Sequence, residues 1–354
     1  MSTPNRRSRH VRIAAVGIAV MLLASPASVG AAKAQVELAS PIFGLATAPD
    51  GSMLVADAGQ GIVAIRKGQM TLAVPLPGVD DVGAIGNGSY FALTGGGGDA
   101  TSAKLWRVSN GRVALSADLG AFEARVNPDG GEIDSNPFDL AVLNGGGVLV
   151  ADAGANAVLV TGPRGFVDWV ATLPNELGST ANIKVVLGCP DTSAEFAFVC
   201  DLPPMIPTEA VATSVAIGPD GAAYVSELKG FPGPIGVSRV WRIQPGTIHA
   251  HCGTDPRCQV VASGFTSIVD INFGPDGTLY VTEIDESSFA VLEIGGTGSG
   301  GTINACPWGS FPLTCHERAT GLLIPIATTV GGDGKLYAAV GALIPGAAQV
   351  IPIP

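Results

Sequence analysis

Charge and histidine are scarce in this sequence. Only 14% of its residues are charged, Lys and Arg number 19 against 30 acids, and histidine occurs four times. So few basic residues exclude a phosphate-binding or anionic-membrane surface, because the net charge of −11 repels both. A G-x-S-x-G elbow, the mark of one large class of serine hydrolases, is absent. A helical period of apolar residues is absent throughout, and the one long apolar run lies near the start. What remains is 47% hydrophobic with 49 glycines. That excludes a disordered chain and suits many short buried strands joined by tight turns.

The first 34 residues read as a leader. Arg6, Arg7, Arg9 and Arg12 precede an uncharged run from Ile13 to Ala24, which Ser25-Pro26 ends. Small residues then lead to Ala32-Lys33-Ala34, an A-x-A-like cleavage site. The apolar run is too short for a spanning helix, which needs ~20 residues. Residues 1–34 are therefore expected to be a signal peptide and 35–354 one mature domain, exported to the periplasm or the medium with no membrane span. Cleavage removes five basic residues and no acid, so the mature charge falls to −16. Such a surface favours divalent cations and basic or neutral ligands over nucleic acid.

Six cysteines fall into three local pairs, Cys189/Cys200, Cys252/Cys258 and Cys306/Cys315. In an exported chain nearest-neighbour disulfides are the simplest pairing. His249 and His251 adjoin Cys252, but His-x-His-Cys-x5-Cys is not a zinc-ligand spacing.

One phrase recurs six times: an apolar strand, a turn ending in Gly, and a second apolar strand. Its copies begin at Gly44, Asp81, Asp139, Ser214, Asp270 and Ala327 and turn at Gly51, Gly88, Gly146, Gly221, Gly277 and Gly334. The turns carry Pro-Asp-Gly, Asn-Gly or, in the last copy, Gly-Asp-Gly; Pro presets φ, Asp bonds its own backbone and Gly accepts φ > 0. Most copies supply two further strands, such as Leu105–Val108 or Val240–Ile243 and then Met70–Val74 or Val260–Ala262. Six such units predict an all-β, six-bladed β-propeller of four-stranded antiparallel blades. The last repeat ends after a third strand near Gln349–Ile353. Val36–Ser40 is expected to supply the missing outer strand and so close the ring.

The phrases Val55-Ala-Asp-Ala-Gly59 and Val150-Ala-Asp-Ala-Gly-Ala-Asn156 are similar to those of NHL-type propellers. Three longer stretches resemble the ScyD/ScyE family: Arg125-Val-Asn-Pro-Asp-Gly-Gly-Glu-Ile-Asp-Ser-Asn-Pro-Phe138, Thr213–Gly221 running on to Leu228–Pro234, and Asp270–Glu283. The likeness covers nearly all of the mature chain. It implies an exported propeller whose founding members accompany genes for scytonemin, a pigment assembled outside the cytoplasm. It brings no catalytic residues to carry over.

Alignment of the repeats places the first-position residues named above, and the second-position residues Asp57, Thr94, Asp152, Glu227, Glu283 and Val340, at one end of the channel. Seven carboxylates, Asp57, Asp81, Asp139, Asp152, Glu227, Asp270 and Glu283, are thus expected to form an acidic rim. Two insertions face the same way: Arg125–Pro137, carrying Asp129, Glu132 and Asp134, and Leu228–Ser238, which is expected to cover the channel mouth. Converging carboxylates repel unless protonated or bridged by a hard cation such as Ca²⁺. Asp139, Asp152, Glu227, Asp270 and Glu283 are the candidate ligands. The competing reading is structural, with Asp57 and Asp152 capping backbone amides and Asp139 and Asp270 bonding to neighbouring blades. No histidine falls on the rim, and Gly296–Gly301, though it matches G-x-G-x-x-G, lacks a surrounding βαβ unit and reads as a loop. Trp106 and Trp241 occupy matched third-strand positions and are expected to pack between blades. The expected function is a monomeric module binding a small molecule or protein through the acidic rim. The alternatives are a metal-dependent hydrolase of the lactonase or esterase type, acting through metal-bound water, and a scaffold using the flat propeller faces.

Overall fold

The computed structural model describes residues 35–354; the expected leader, 1–34, lies outside the described residues. Six antiparallel sheets follow one another along the chain. Blade one comprises strands Ile42–Thr47, Met53–Asp57, Gly61–Arg66 and Gln69–Pro75. Blade two runs from Val79–Gly86 to Arg112–Asp118, and blade three from Pro137–Val142 to Val167–Thr172. Blade four runs from Ala212–Ile217 to Cys258–Phe265, blade five from Ile268–Phe273 to His316–Leu322, and blade six from Ala327–Val330 to Gln349–Pro352. The protein is a six-bladed β-propeller.

The repeated turn does the work its residues predict. In four blades the turn glycine donates its N–H to the carbonyl three residues back, at 2.8–2.9 Å, with φ between +74° and +84°. The preceding aspartates Asp50, Asp220, Asp276 and Asp333 each accept the N–H two residues on, at 3.0–3.2 Å. Alternation then buries one face of each sheet against the next blade. Separate apolar clusters join successive blades, such as Leu54, Ile62, Val79 and Val108 between blades one and two. Another joins Val158, Ala171, Val225 and Trp241 between blades three and four. Trp241 thus packs between blades as expected, and Trp106 lies against the cluster between blades one and two.

Three features depart from the sequence reading. First, blade six has three strands, and Val36–Ser40 does not complete it. Gln35 instead bridges to Thr71, and Val36 donates its N–H to the Met70 carbonyl at 3.1 Å, both on the outer strand of blade one. Asp57 captures the segment three residues after Val36 by accepting the Ala39 N–H at 2.6 Å, which holds it on blade one. Second, short helices occupy connections read as loops. The longest is Leu119–Val126, capped by Asp118 at the Ala121 N–H. Another is the single turn Ala197–Cys200, which leaves the all-β class of the fold unchanged. The turn forms because Val199 points inward, buried with Ile183 and Ala290. Third, a short strand, Ala250–His251, leaves the blade-four insertion and pairs in parallel with Val167–Thr172 of blade three. His251 Nδ1 meets Thr172 Oγ1 there at 2.8 Å, and His249 stacks on Trp169.

The three disulfides form as paired from the sequence: Cys189–Cys200, Cys252–Cys258 and Cys306–Cys315. Their settings differ. Cys306 lies on the third strand of blade five and Cys258 on the outer strand of blade four. Cys189 and Cys200 belong to no blade, and their bridge ties the helical turn at Cys200 to the chain just beyond a second helix, Ala181–Val186.

Candidate functional site

Strand one of each of the first five blades carries a one-residue bulge near its start. Ile42 pairs with Asp57 but Gly44 with Ala56, and Ile268 pairs with Glu283 but Asp270 with Thr282. The same step separates Val79 from Asp81, Pro137 from Asp139 and Ala212 from Ser214. First-position residues therefore lie opposite the residue before the second position. Successive strand residues point to opposite faces, so the two sets of acids diverge. The seven expected rim carboxylates are not brought together as one group. Among the described residues no three His, Cys, Asp or Glu side chains are grouped to hold a metal ion, which includes Asp139, Asp152, Glu227, Asp270 and Glu283.

The first-position acids line the channel, a space of about 290 Å³, and tie blade to blade. Asp81 of blade two accepts the Leu140 N–H of blade three at 3.0 Å. Asp139 accepts Val215 N–H at 2.7 Å and Ser214 Oγ–H at 2.5 Å. Ser214 in turn accepts Ile271 N–H at 3.0 Å, and Asp270 accepts the N–H and Oγ–H of Thr328 at 2.7 and 2.8 Å. The belt thus runs from blade two to blade six, each acceptor taking the N–H one residue beyond the aligned position in the next blade. Blade one has Gly44 instead, because a Cβ there would come within 2.1 Å of Asp81 Oδ1. Burial raises the pKa of all three acids. Asp81 rises well above the usual range, helped by Asp139, and Asp270 is pushed up to about 7. For Asp139 burial is opposed by the neighbouring Asp81, the Ser214 hydroxyl and the Val215 amide, which favour its charged form.

The second-position acids turn away to clamp the loops of their own blades. Asp57 accepts N–H groups from Ala39 and Gly59 and the Gln60 amide, at 2.6–3.0 Å. Asp152 accepts Ser135 Oγ–H, Asn136 N–H and Ala155 N–H at 2.6–3.2 Å. Glu227 accepts the Trp241 indole N–H at 3.1 Å and Arg239 Nε. Glu283 accepts the Thr266 N–H and the Asn304 amide. Burial still pushes Glu283 to about 7 and raises Asp152 and Glu227. These bonds match the structural reading of Asp57, Asp152, Asp139 and Asp270. The mouth itself is apolar: Phe43 and Phe138 meet edge-on at 5.8 Å, and Leu228, at the head of the expected covering loop, joins their cluster with Phe289.

The larger concavity is lined in part by Leu228–Ser238, the loop expected to cover the channel mouth, but by none of the expected rim acids. Residues 173–211 leave blade three as a long insertion whose hairpin pairs Glu176–Ser179 with Met205–Thr208. Between this hairpin, Pro234–Val237 and the edge of blade four lies a groove of about 830 Å³. Leu177, Val185, Met205, Ile235 and Val237 line it, and all five are exposed. Its charged floor is balanced. Lys229, only 2% exposed, lies 2.9 Å from Glu176 and 3.3 Å from Glu227, while Arg239 pairs with both carboxylates and covers the Trp241 ring at 4.8 Å. Cys189 and Cys200 brace the same insertion, yet neither they nor the other four cysteines line the groove or the channel. The register carried a signal for Arg239, because it pairs directly with the second-position Glu227. Asp80 was also missed. Its carboxyl lies where a Cβ on Gly95 would stand, 1.8 Å away, and burial pushes its pKa to about 7.

The fold places the chain among the six-bladed β-propellers, a class that hosts many unrelated activities. It matches no protein-family model and no curated protein. Among solved structures it is similar to a gluconolactonase from Xanthomonas campestris, at 15% identity over 89% of this chain and 87% of that one, with a TM-score of 0.53. It is also similar to a catalytically inactive virginiamycin B lyase from Staphylococcus aureus with quinupristin (14%, 91% and 87%, TM-score 0.52). A glucose dehydrogenase aligns over 92% of this chain and 99% of its own at 12% identity, with a TM-score of 0.51. At such identities the likeness concerns the fold alone.

Proposed function

We propose that this chain is an exported, monomeric binding module of the ScyD/ScyE type that holds a neutral, largely apolar small molecule in the lateral groove. The observation that carries the reading is the groove itself, whose volume and apolar walls suit a small organic ligand. Its paired floor charges offer both donors and acceptors without demanding a net charge. The strongly acidic chain further disfavours an anionic ligand. The acidic rim is a weaker candidate for the ligand, because its carboxylates already accept hydrogen bonds from neighbouring loops and blades. Three disulfides support export, and no described helix is long and apolar enough to cross a membrane.

Fluorescence titration with 2-naphthol, a neutral aromatic bearing one hydroxyl, tests this. Saturable one-to-one binding, weakened at least tenfold by Ile235→Lys and by Arg239→Ala, is expected. Binding that is absent, or indifferent to both substitutions, would remove the groove from consideration. The metal-dependent hydrolase reading draws on the fold shared with the gluconolactonase. Ca²⁺-dependent lactone hydrolysis by the same protein, abolished by Glu283→Gln, would favour it instead.

A further inference from the structure

The helix Leu119–Val126 carries a side chain that the fold does not explain. Glu123 is 1% exposed, and neither of its carboxylate oxygens has a hydrogen-bond partner. One turn further on, at the helix C-cap, the amide oxygen of Asn127 is also buried without a donor, although the Asn127 amide nitrogen donates to the Gly131 carbonyl at 3.0 Å. Three buried acceptor oxygens without donors is an unfavourable arrangement as it stands, since each has lost water and gained nothing.

The surroundings add negative charge rather than relieving it. Asp129, Asp134 and Asp152 all act on Glu123, and together with burial they push its pKa to about 7. Glu209, from the end of the 173–211 insertion, acts on Asp134 in the same sense. Every ion pair among the described residues lies elsewhere. The one basic residue of the helix, Arg125, packs over the Phe122 ring at 5.6 Å. Asp129 is already engaged in part, accepting Gly131 N–H at 2.8 Å and the Asn156 amide at 3.0 Å.

We propose that Glu123, the Asn127 side-chain oxygen and the acids of the 127–134 loop form a Ca²⁺ site, separate from the channel and from the lateral groove. Every donor is oxygen, the set a hard cation takes, and it lacks the sulfur and imidazole that transition metals favour. Ca²⁺ rather than Mg²⁺ fits, because a carboxylate, an amide oxygen, loop acids and water make the irregular shell of six to eight oxygens that Ca²⁺ accepts. No three acids stand together as metal ligands among the described residues. Glu123 and Asn127 therefore form the fixed half of the site, and the ion draws Asp129 or Asp134 to the other half. An ion bound there ties the helix after blade two to the loop leading into blade three.

Equilibrium dialysis of the chelator-treated protein against Ca²⁺, with elemental analysis, tests this directly. One equivalent is expected, with a Kd of roughly 10⁻⁴–10⁻³ M, as in other extracellular Ca²⁺ modules. Hundredfold excess over Kd should raise the melting temperature by about 4 °C for a chain of this size. Glu123→Gln should weaken binding at least tenfold and abolish the Ca²⁺-dependent rise. Should that variant fail to fold, Asp134→Asn, in the exposed loop, should still weaken binding several-fold. The proposal is overturned if the protein takes up no Ca²⁺ at about 10 mM, well above the expected Kd. Stoichiometric binding that survives the Glu123 and Asp134 substitutions but is lost in Glu283→Gln would place the ion at the channel instead, and also overturns it.

Discussion

Replacing Asp270 by Asn should flatten the dependence of stability on pH. In the folded protein Asp270 is pushed up to about 7 by burial and by Asp139 across the channel, whereas in the unfolded chain it titrates near ~3.9. Between those values the folded state retains a proton that the unfolded state has released. The associated stabilisation is therefore complete below about pH 4 and drains away as pH rises to about 7, with no further loss above. Three pH units correspond to an upper bound of about 4 kcal/mol. Asp270 lines the channel and keeps some contact with solvent, so screening reduces this to about 2 kcal/mol. For a chain of this size that is about 3 °C in melting temperature. Asn keeps a carbonyl oxygen to accept the two Thr328 donors but carries no charge at any pH. Calorimetric scans of both proteins from pH 5 to 8, at fixed ionic strength and with chelator, cover about two of those three pH units and should show the variant gaining about 2 °C on the wild type. Parallel curves would refute the protonated-channel reasoning, whatever their vertical offset.

Three further outcomes follow from contacts already described. Lys229→Ala should cost about 3 kcal/mol in urea unfolding, because it leaves Glu227 buried with one cation fewer; a cost below about 1 kcal/mol would show that Arg239 suffices alone. Gly44→Ala should destabilise by at least about 2 kcal/mol, since its Cβ would collide with Asp81 Oδ1 and with backbone atoms of Asp80 and Asp81; an unchanged unfolding midpoint would contradict the close approach of blades one and two. Removing the Cys306–Cys315 bridge with a double Ser substitution should lower stability by about 2–3 kcal/mol through loop entropy, read from urea unfolding of the variant and the wild type under non-reducing conditions.

The blades were legible in the sequence because their turns are chemically distinctive. Pro-Asp-Gly at 49–51, 219–221 and 275–277 both stops one strand and starts the next, and period-two alternation does the rest. The aligned positions were legible too, but the direction of their side chains was not. One extra residue between Ile42 and Gly44, or between Ile268 and Asp270, is invisible in an alignment, yet it separates Asp270 from Glu283 by a whole sheet face. Closure failed for a related reason. Val36–Ser40 has the composition of an outer strand, but the Asp57 carboxylate that captures Ala39 belongs to blade one, and composition does not say which edge a strand joins. Cysteine spacing likewise paired Cys189 with Cys200, but a single helical turn is too short to show a period, so the helix ending at Cys200 left no trace. The groove and the Glu123 cluster lay in insertions outside the repeat. Their residues meet only through tertiary structure, so neither spacing nor periodicity pointed to them.

The carboxylate belt is not a complete circle. It ties blades two, three, four, five and six in succession, but Ala327 and Gly44 have no side-chain acceptor, and among the described residues blade six ends on its third strand. Blade one is therefore joined to blade two by apolar packing. To blade six it adds the hydrogen bond from the Ile42 N–H to the Ala342 carbonyl and the Thr47–Thr329 hydroxyl contact. Mechanically the molecule is a five-blade arc with a sixth sector fitted into its gap. Thermal breathing, solvent entry and the first steps of unfolding should concentrate on the two seams flanking that sector, leaving the groove on the far side of the ring undisturbed.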